Sequence, residues 1–221
     1  MSHATLHSLL KARYSCRAFL PDPVPREVLE HIFATAQHVP SWCNAQPWQV
    51  ILADVAETEA LRQRLLALSP DQMSRPDIPW PDGYSGQRQA RRRECAWQLY
   101  DAVGVEKGDR IASARQSLEN FRFFGAPQVA IVTTASELGT YGVLDCGAFV
   151  TAVTLAATAE GVATIPQAAV AGCAPTVREH FGIPADRWIV CAISLGYADR
   201  AHPANGFRTG RAPLDEVVDW R

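Results

Sequence analysis

The stretch from Gly142 to Ala159, within a helical run from Gly139, is the most apolar part of the chain, and it restricts the fold more than any other feature. A segment of this length and character either crosses a membrane or is buried inside a protein. Asp145, Thr151, Thr154 and Thr158 interrupt it, which is more polarity than a membrane span tolerates cheaply. The expectation is a long central helix, closed by Gly161 as the residue just past its end. Such a helix needs a sheet to lie against. Strand-like runs at Gln49–Ala53, Gln128–Thr134 and Trp188–Ser194 supply one, the second of them continuously apolar.

Around these, helical spacing recurs at Ala4–Arg13, at 25–38 (Val28, Leu29, Ile32, Phe33 and Ala36, with Pro25 in the first turn), at Glu57–Leu68, Gln87–Val103, Asp109–Phe124 and Pro175–Phe181. Leu214–Trp220 reads as a last strand. The pattern predicts an α+β domain around one sheet of about four or five strands. At 221 residues the chain fits one domain, 1–221. Ser69–Gly86, rich in Pro and Gly, is too long a loop for a purely structural connection. It opens a variable region at about 69–108.

Composition removes several classes. A formal net charge of -2 gives no electrostatic case for nucleic acid or an anionic membrane. Leu9-Leu10 is followed at once by Lys11 and Arg13, which is not a signal-peptide pattern. The six cysteines are scattered with no C-x-x-C, as expected of reduced thiols in a cytoplasmic protein. His31 and His38 lack ligand spacing, and no metal site is expected. No Ser-His-Asp or paired-carboxylate arrangement is visible, so no catalytic side chain is assigned.

Four segments carry candidate chemistry. Arg13-Tyr14-Ser15-Cys16-Arg17 offers two guanidinium groups and a hydroxyl, which suit a dianionic phosphate; a solvated basic helix end is the plainer alternative. Pro40-Ser41-Trp42-Cys43-Asn44-Ala45-Gln46-Pro47-Trp48 sets amides beside indoles, suiting a flat heteroaromatic ligand, or else it is a polar turn. Ala163–Ala169 contains Pro166, Gln167 and Ala168, where small residues admit close backbone approach, or it is an ordinary strand-to-turn connection. Phe207–Leu214 adds Arg208 and Arg211, or is a solvated tail. The run Arg88, Arg91, Arg92 and Arg93 is a solvated helix face or a site for an NADPH phosphate or an acidic substrate. There is no G-x-G-x-x-G.

Taken in order, R-x-S-x-R, P-S-x-x-N-x-Q-P-W, Phe123-Phe124-Gly125-Ala126-Pro127, Asp145-Cys146-Gly147 and the terminal arginines resemble the FMN-dependent nitroreductase family over essentially the whole chain. The resemblance implies a nitroreductase-like fold with a mostly antiparallel sheet flanked by helices and a C-terminal tail exchanged between subunits. It implies tightly bound FMN at the interface of a homodimer and NAD(P)H as co-substrate. The cofactor-binding residues carried over are Arg13, Tyr14, Ser15, Arg17, Ser41, Trp42, Asn44, Gln46, Pro166, Gln167, Ala168, Arg208 and Arg211. Ser41, Trp42 and Asn44 belong to the loop that reaches the partner's cofactor, and Arg17 to the flavin N1–C2=O edge. Gln167-Ala168 replaces the Glu-Gly of some relatives, which removes a carboxylate near the ring.

The implied reaction is ping-pong electron transfer to nitroaromatic or quinone-like acceptors, with Trp80, Tyr84 and Trp97 as candidate walls of the acceptor pocket. The flavin carries the chemistry while the protein orients it and sets its potential. Dehalogenation or dehydrogenation on the same fold, a non-catalytic flavin-binding sensor, and an interaction domain without cofactor are the alternatives.

Overall fold

A computed structural model describes residues 3–221. Its sheet is built from β1 (Trp48–Ala53), β2 (Gln128–Ala135), β3 (Ala163–Gln167) and β4 (Arg187–Gly196). The order is β1-β2-β4-β3 with every pair antiparallel. Helices α1 (His3–Ala12), α2 (Arg26–Ala36), α3 (Val55–Leu66), α4 (Gly86–Ala102), α5 (Arg110–Leu118), α6 (Gly139–Ala159), α7 (Ala168–Ala171) and α8 (Ala174–Phe181) surround it. Strand alternation divides β2 between two cores. Val129 and Ile131 pack with Leu61 and Leu65 of α3 and Val177 of α8. Ala130 and Val132 pack with Ile32 of α2 and Phe149 and Val153 of α6.

A bulge in β4 makes this division work. The register shifts between Val132, opposite Cys191, and Thr133, opposite Ile189. Val190 is therefore the extra residue, and it flips the parity of the strand. Ile189 consequently joins the α3/α8 core, whereas Cys191, Ile193 and Leu195 join the α6 core. Burial holds the thiols protonated: Cys146 and Cys173 are pushed up to about 11 and Cys191 to about 12. Thiols so shifted are poor nucleophiles at neutral pH.

The long helix α6 closes before Gly161, whose φ of +73° is the left-handed residue expected there. Ser136–Ala159 is long and apolar enough to cross a membrane by length and composition. In the fold, Cys146, Phe149, Val153 and Ala157 face the sheet and α2 instead. Its far side keeps Tyr141 and Leu144 exposed.

Two expectations are corrected. The helix foreseen over Asp109–Phe124 begins as expected, with the Asp109 carboxylate accepting from Ala112 N–H at 2.8 Å, but stops at Leu118. The chain then turns through Phe123 and Phe124, both left-handed (φ 56° and 54°), to bury both rings. A left-handed bulky residue costs about 1–2 kcal/mol, which burying a Phe side chain offsets at about 1.5–3 kcal/mol. Leu214–Trp220 is no strand: it holds a short 3-10 turn at Leu214–Glu216, and Leu214, Val217 and Trp220 stand exposed. Among the described residues it pairs with none of the four strands, so alternation alone has no partner.

The Ser69–Gly86 connection is a loop, as foreseen, fastened at two points. Arg75 N–H donates to Gly172 C=O at 2.7 Å. Gly172 permits that approach, since a Cβ there would lie 2.5 Å from the Met73 carbonyl oxygen and 3.2 Å from the Trp80 ring. Asp77 accepts from Arg178 and from Ile189 N–H, each at 2.8 Å.

Candidate functional site

Helix α1 continues one hydrogen bond past its end, Arg13 N–H to Leu9 C=O at 2.9 Å, and so sets Arg13 at the mouth of a cleft. The chain then runs beside β3: Ser15 pairs in parallel with Thr164, and Cys16 N–H donates to Thr164 C=O at 3.0 Å. The tail after β4 returns over the same place. Together they enclose a cavity of 530 Å³ lined by Arg13, Tyr14, Ser15, Arg17, Arg208 and Arg211, with Lys11, Cys95, Phe207 and Thr209 among its other walls. Five cations and no carboxylate line it.

The electrostatics are those of an anion cradle. Burial, and then the neighbouring Arg211 charge, lower the pKa of Arg13. Burial lowers that of Arg17 as well. Among the described residues none of Arg13, Arg17, Arg208 and Arg211 pairs with a carboxylate. Their hydrogen bonds go to backbone instead, Arg17 to Ser15 C=O (3.2 Å) and Arg208 to Asn205 C=O (2.9 Å), while Arg211 also reaches the Thr209 hydroxyl (2.9 Å). Arg208 stacks on the Tyr14 ring at 3.8 Å and Arg17 over Phe207 at 5.6 Å. Like charges held this close favour an anion between them. A phosphate monoester fits the donor set.

The remaining residues singled out from sequence lie elsewhere. Ser41, Trp42, Asn44 and Gln46 form a separate turn that does not line this cavity. The turn is held by its own side chains, Gln46 N–H donating to Ser41 Oγ at 2.9 Å and Trp42 N–H to Asp145 at 3.1 Å. Cys43, Asn44 and Gln46 all have positive φ, strain of the kind that accumulates at functional sites. Pro166 and Gln167 sit in β3 opposite Ile193 and Ala192, further along the strand that Ser15 joins. The Gln167 side chain is spent internally, donating to Asn120 C=O at 2.7 Å and accepting from Ser194 Oγ at 2.5 Å. Ala168 is exposed at the start of α7. Trp80, Tyr84 and Trp97 are each about half exposed and line neither this cavity nor the one beside it.

The geometry compares closely with known proteins. A profile of the Nitroreductase family matches residues 10–197. The chain belongs to the nitroreductase family. Nitroreductase NfnB of Mycolicibacterium smegmatis is 35% identical over 211 residues, 95% of this chain and 90% of that protein. A 4-nitrobenzoate reductase of Pseudomonas putida is 32% identical over 92% of this chain and 90% of its own. The crystal structure of the FMN-dependent NfnB from Mycobacterium smegmatis in complex with NADPH superposes with a TM-score of 0.93, at 33% identity, covering 99% of this chain and 98% of that one. The nitroreductase fold expected from the motifs is thus the fold observed.

One residue bordering the cavity of this nitroreductase is not marked by the sequence. Asn205 is buried and takes Arg17 N–H on Oδ1 at 2.8 Å, while its Nδ2 donates to Ala18 C=O (2.9 Å) and Asp199 C=O (2.8 Å). It ties the first basic segment to the tail that carries Arg208. Nothing local marks it, since Arg17 lies 188 positions away. Asn205→Ala leaves Arg17 N–H without its acceptor and takes one donor each from Ala18 C=O and Asp199 C=O, which keep Asp199 N–H and His202 N–H. The expected cost is about 1–3 kcal/mol of stability. Thermal melting of the variant beside the parent checks it.

Proposed function

We propose that this chain is an FMN-dependent oxidoreductase that passes electrons from NAD(P)H to nitroaromatic or quinone-like acceptors. The observation that carries this reading is the cavity of five cations without a carboxylate, in a chain of the nitroreductase family. Arg13, Arg208 and Arg211 hold the phosphate, and Ser15 adds a hydroxyl. Tyr14 keeps Arg208 in place by stacking. Arg17 stands as a fixed positive charge toward the ring, favouring charge that builds on it. Pro166, Gln167 and Ala168 present backbone to the ring, with the Gln167 amide locking that strand end through Asn120 and Ser194. When bound, FMN supplies the two-electron relay between donor and acceptor, in alternating half-reactions.

The unit that works is a homodimer of 1–221 domains. Tyr141 and Leu144 of α6 make an exposed apolar patch with Trp42 of the neighbouring turn, which packs edge-on against Tyr141 at 4.0 Å. A second copy docking there carries Ser41, Trp42, Asn44 and Gln46 to its neighbour's flavin. The exposed Val217 and Trp220, beyond the Glu216 that pairs with Arg91, belong to the part of the tail exchanged between subunits. The 69–108 region shapes the acceptor pocket, with Trp80, Tyr84 and Trp97 as its aromatic stock, and the protein works in the cytoplasm. The test is the visible spectrum of the purified protein followed by anaerobic NADPH or NADH. Flavin bands that bleach and return with a nitroaromatic are expected. A colourless protein that does not take up FMN refutes the reading.

A further inference from the structure

A second cavity, of 860 Å³, adjoins the phosphate cradle and shares Cys95, Thr209 and Arg211 with it. Helix α4 forms its other wall. Of the basic run on that helix, Arg91 and Arg92 line the cavity, while Arg88 and Arg93 do not. Arg91 is paired at 2.5 Å with Glu216 of the tail, and Arg92 lies over the Tyr84 ring at 5.4 Å. Gln98 lines the same space as well.

We propose that this cavity takes the phosphorylated ribose of the nicotinamide donor, with Arg91 and Arg92 on its 2′-phosphate, so that the enzyme selects NADPH over NADH. The inference rests on the flavin reading above. Two carboxylates, Glu94 and Glu216, also line the cavity, and a dianion recruits the two guanidinium groups more strongly than does the Glu216 carboxylate that holds Arg91. The Arg91–Glu216 pair is partly exposed and of small net value, so exchanging it for phosphate meets little opposition. An acidic acceptor fits less well. The cavity borders the phosphate end of the cradle, and none of Pro166, Gln167 and Ala168 lines it. An acceptor has to touch the ring, whereas a dinucleotide is long enough to rest on the ring and reach α4 together.

The test is equilibrium binding of 2′,5′-ADP and of ADP to the FMN-loaded protein, followed by calorimetry. The parent is expected to prefer 2′,5′-ADP by about tenfold, and Arg91→Gln/Arg92→Gln to bring the ratio to about one. Helix α4 has no buried residues, so the double variant keeps its core contacts. The ratio of kcat/KM for NADPH over NADH should shrink in parallel. Equal binding of the two nucleotides by the parent, or a preference that survives the double substitution, overturns the assignment. A yellow protein without the preference defeats this inference alone, and a protein that cannot hold FMN defeats the flavin reading.

Discussion

Arg13→Ala is expected to weaken FMN binding by about a hundredfold, the loss of one charge-assisted phosphate contact of about 3 kcal/mol. The fold should survive. Arg13 sits at the end of α1 with no ion pair among the described residues, and it stands against Arg211 in a repulsive arrangement. Deleting it relieves that repulsion, so the cofactor-free variant should melt no lower than the cofactor-free parent. Affinity and stability thereby separate, which is the signature of a binding residue rather than a structural one. Arg13→Lys keeps the charge without the planar fork and should fall between the two. Titration of FMN fluorescence with apo-protein gives the affinities. If the alanine variant bound FMN as tightly as the parent, the phosphate would have to sit elsewhere.

Asp77→Ala should act in the opposite way, on stability first. Asp77 and Arg178 are both largely sheltered, with side chains 16% and 22% exposed. The same Asp77 oxygen also takes Ile189 N–H at the point where β4 bulges. Truncation leaves the strand N–H without its acceptor and a sheltered guanidinium without its counter-charge, with Arg187 C=O still accepting from it at 2.7 Å, at a cost of about 3 kcal/mol. For a chain of this size that lowers Tm by about 6–12 °C. Asp77→Asn keeps an acceptor for the strand and should lose less. Melting both variants alongside the parent decides the matter, and an unchanged Tm for the alanine variant would show the clamp to be idle.

What the sequence made legible follows from the range of the forces involved. The strands, the long helix and the capped start of α5 rest on local patterns, and each lies where those patterns placed it within a residue or two. Arg13, Ser15 and Arg17 were readable because their spacing is local, and the tail arginines because they are charged. The early end of α5 was hidden, because only the demand of the core for Phe123 and Phe124 forces the left-handed turn. The last apparent strand misled because alternation describes a strand's faces and says nothing of its neighbour. Asn205 was hidden altogether: an asparagine in a Pro-Ala-Asn-Gly turn looks like turn chemistry until the opposite end of the chain is seen hydrogen-bonded to it. The turn at Ser41–Gln46 was legible as polar, and its strain was not.

The two fastenings of the Ser69–Gly86 loop divide it into unequal parts. Up to Asp77 it is bound to Gly172, Arg178 and β4. Beyond Asp77 and as far as Ser85, no backbone hydrogen bond among the described residues joins it to the sheet. Changes of length or side chain in that second part therefore leave both cores and the cation cradle intact. Selection, natural or in the laboratory, can rework it by insertion and deletion as a detachable module. A library confined to residues 78–85 should be rich in folded, flavin-loaded members that differ in the acceptors they reduce.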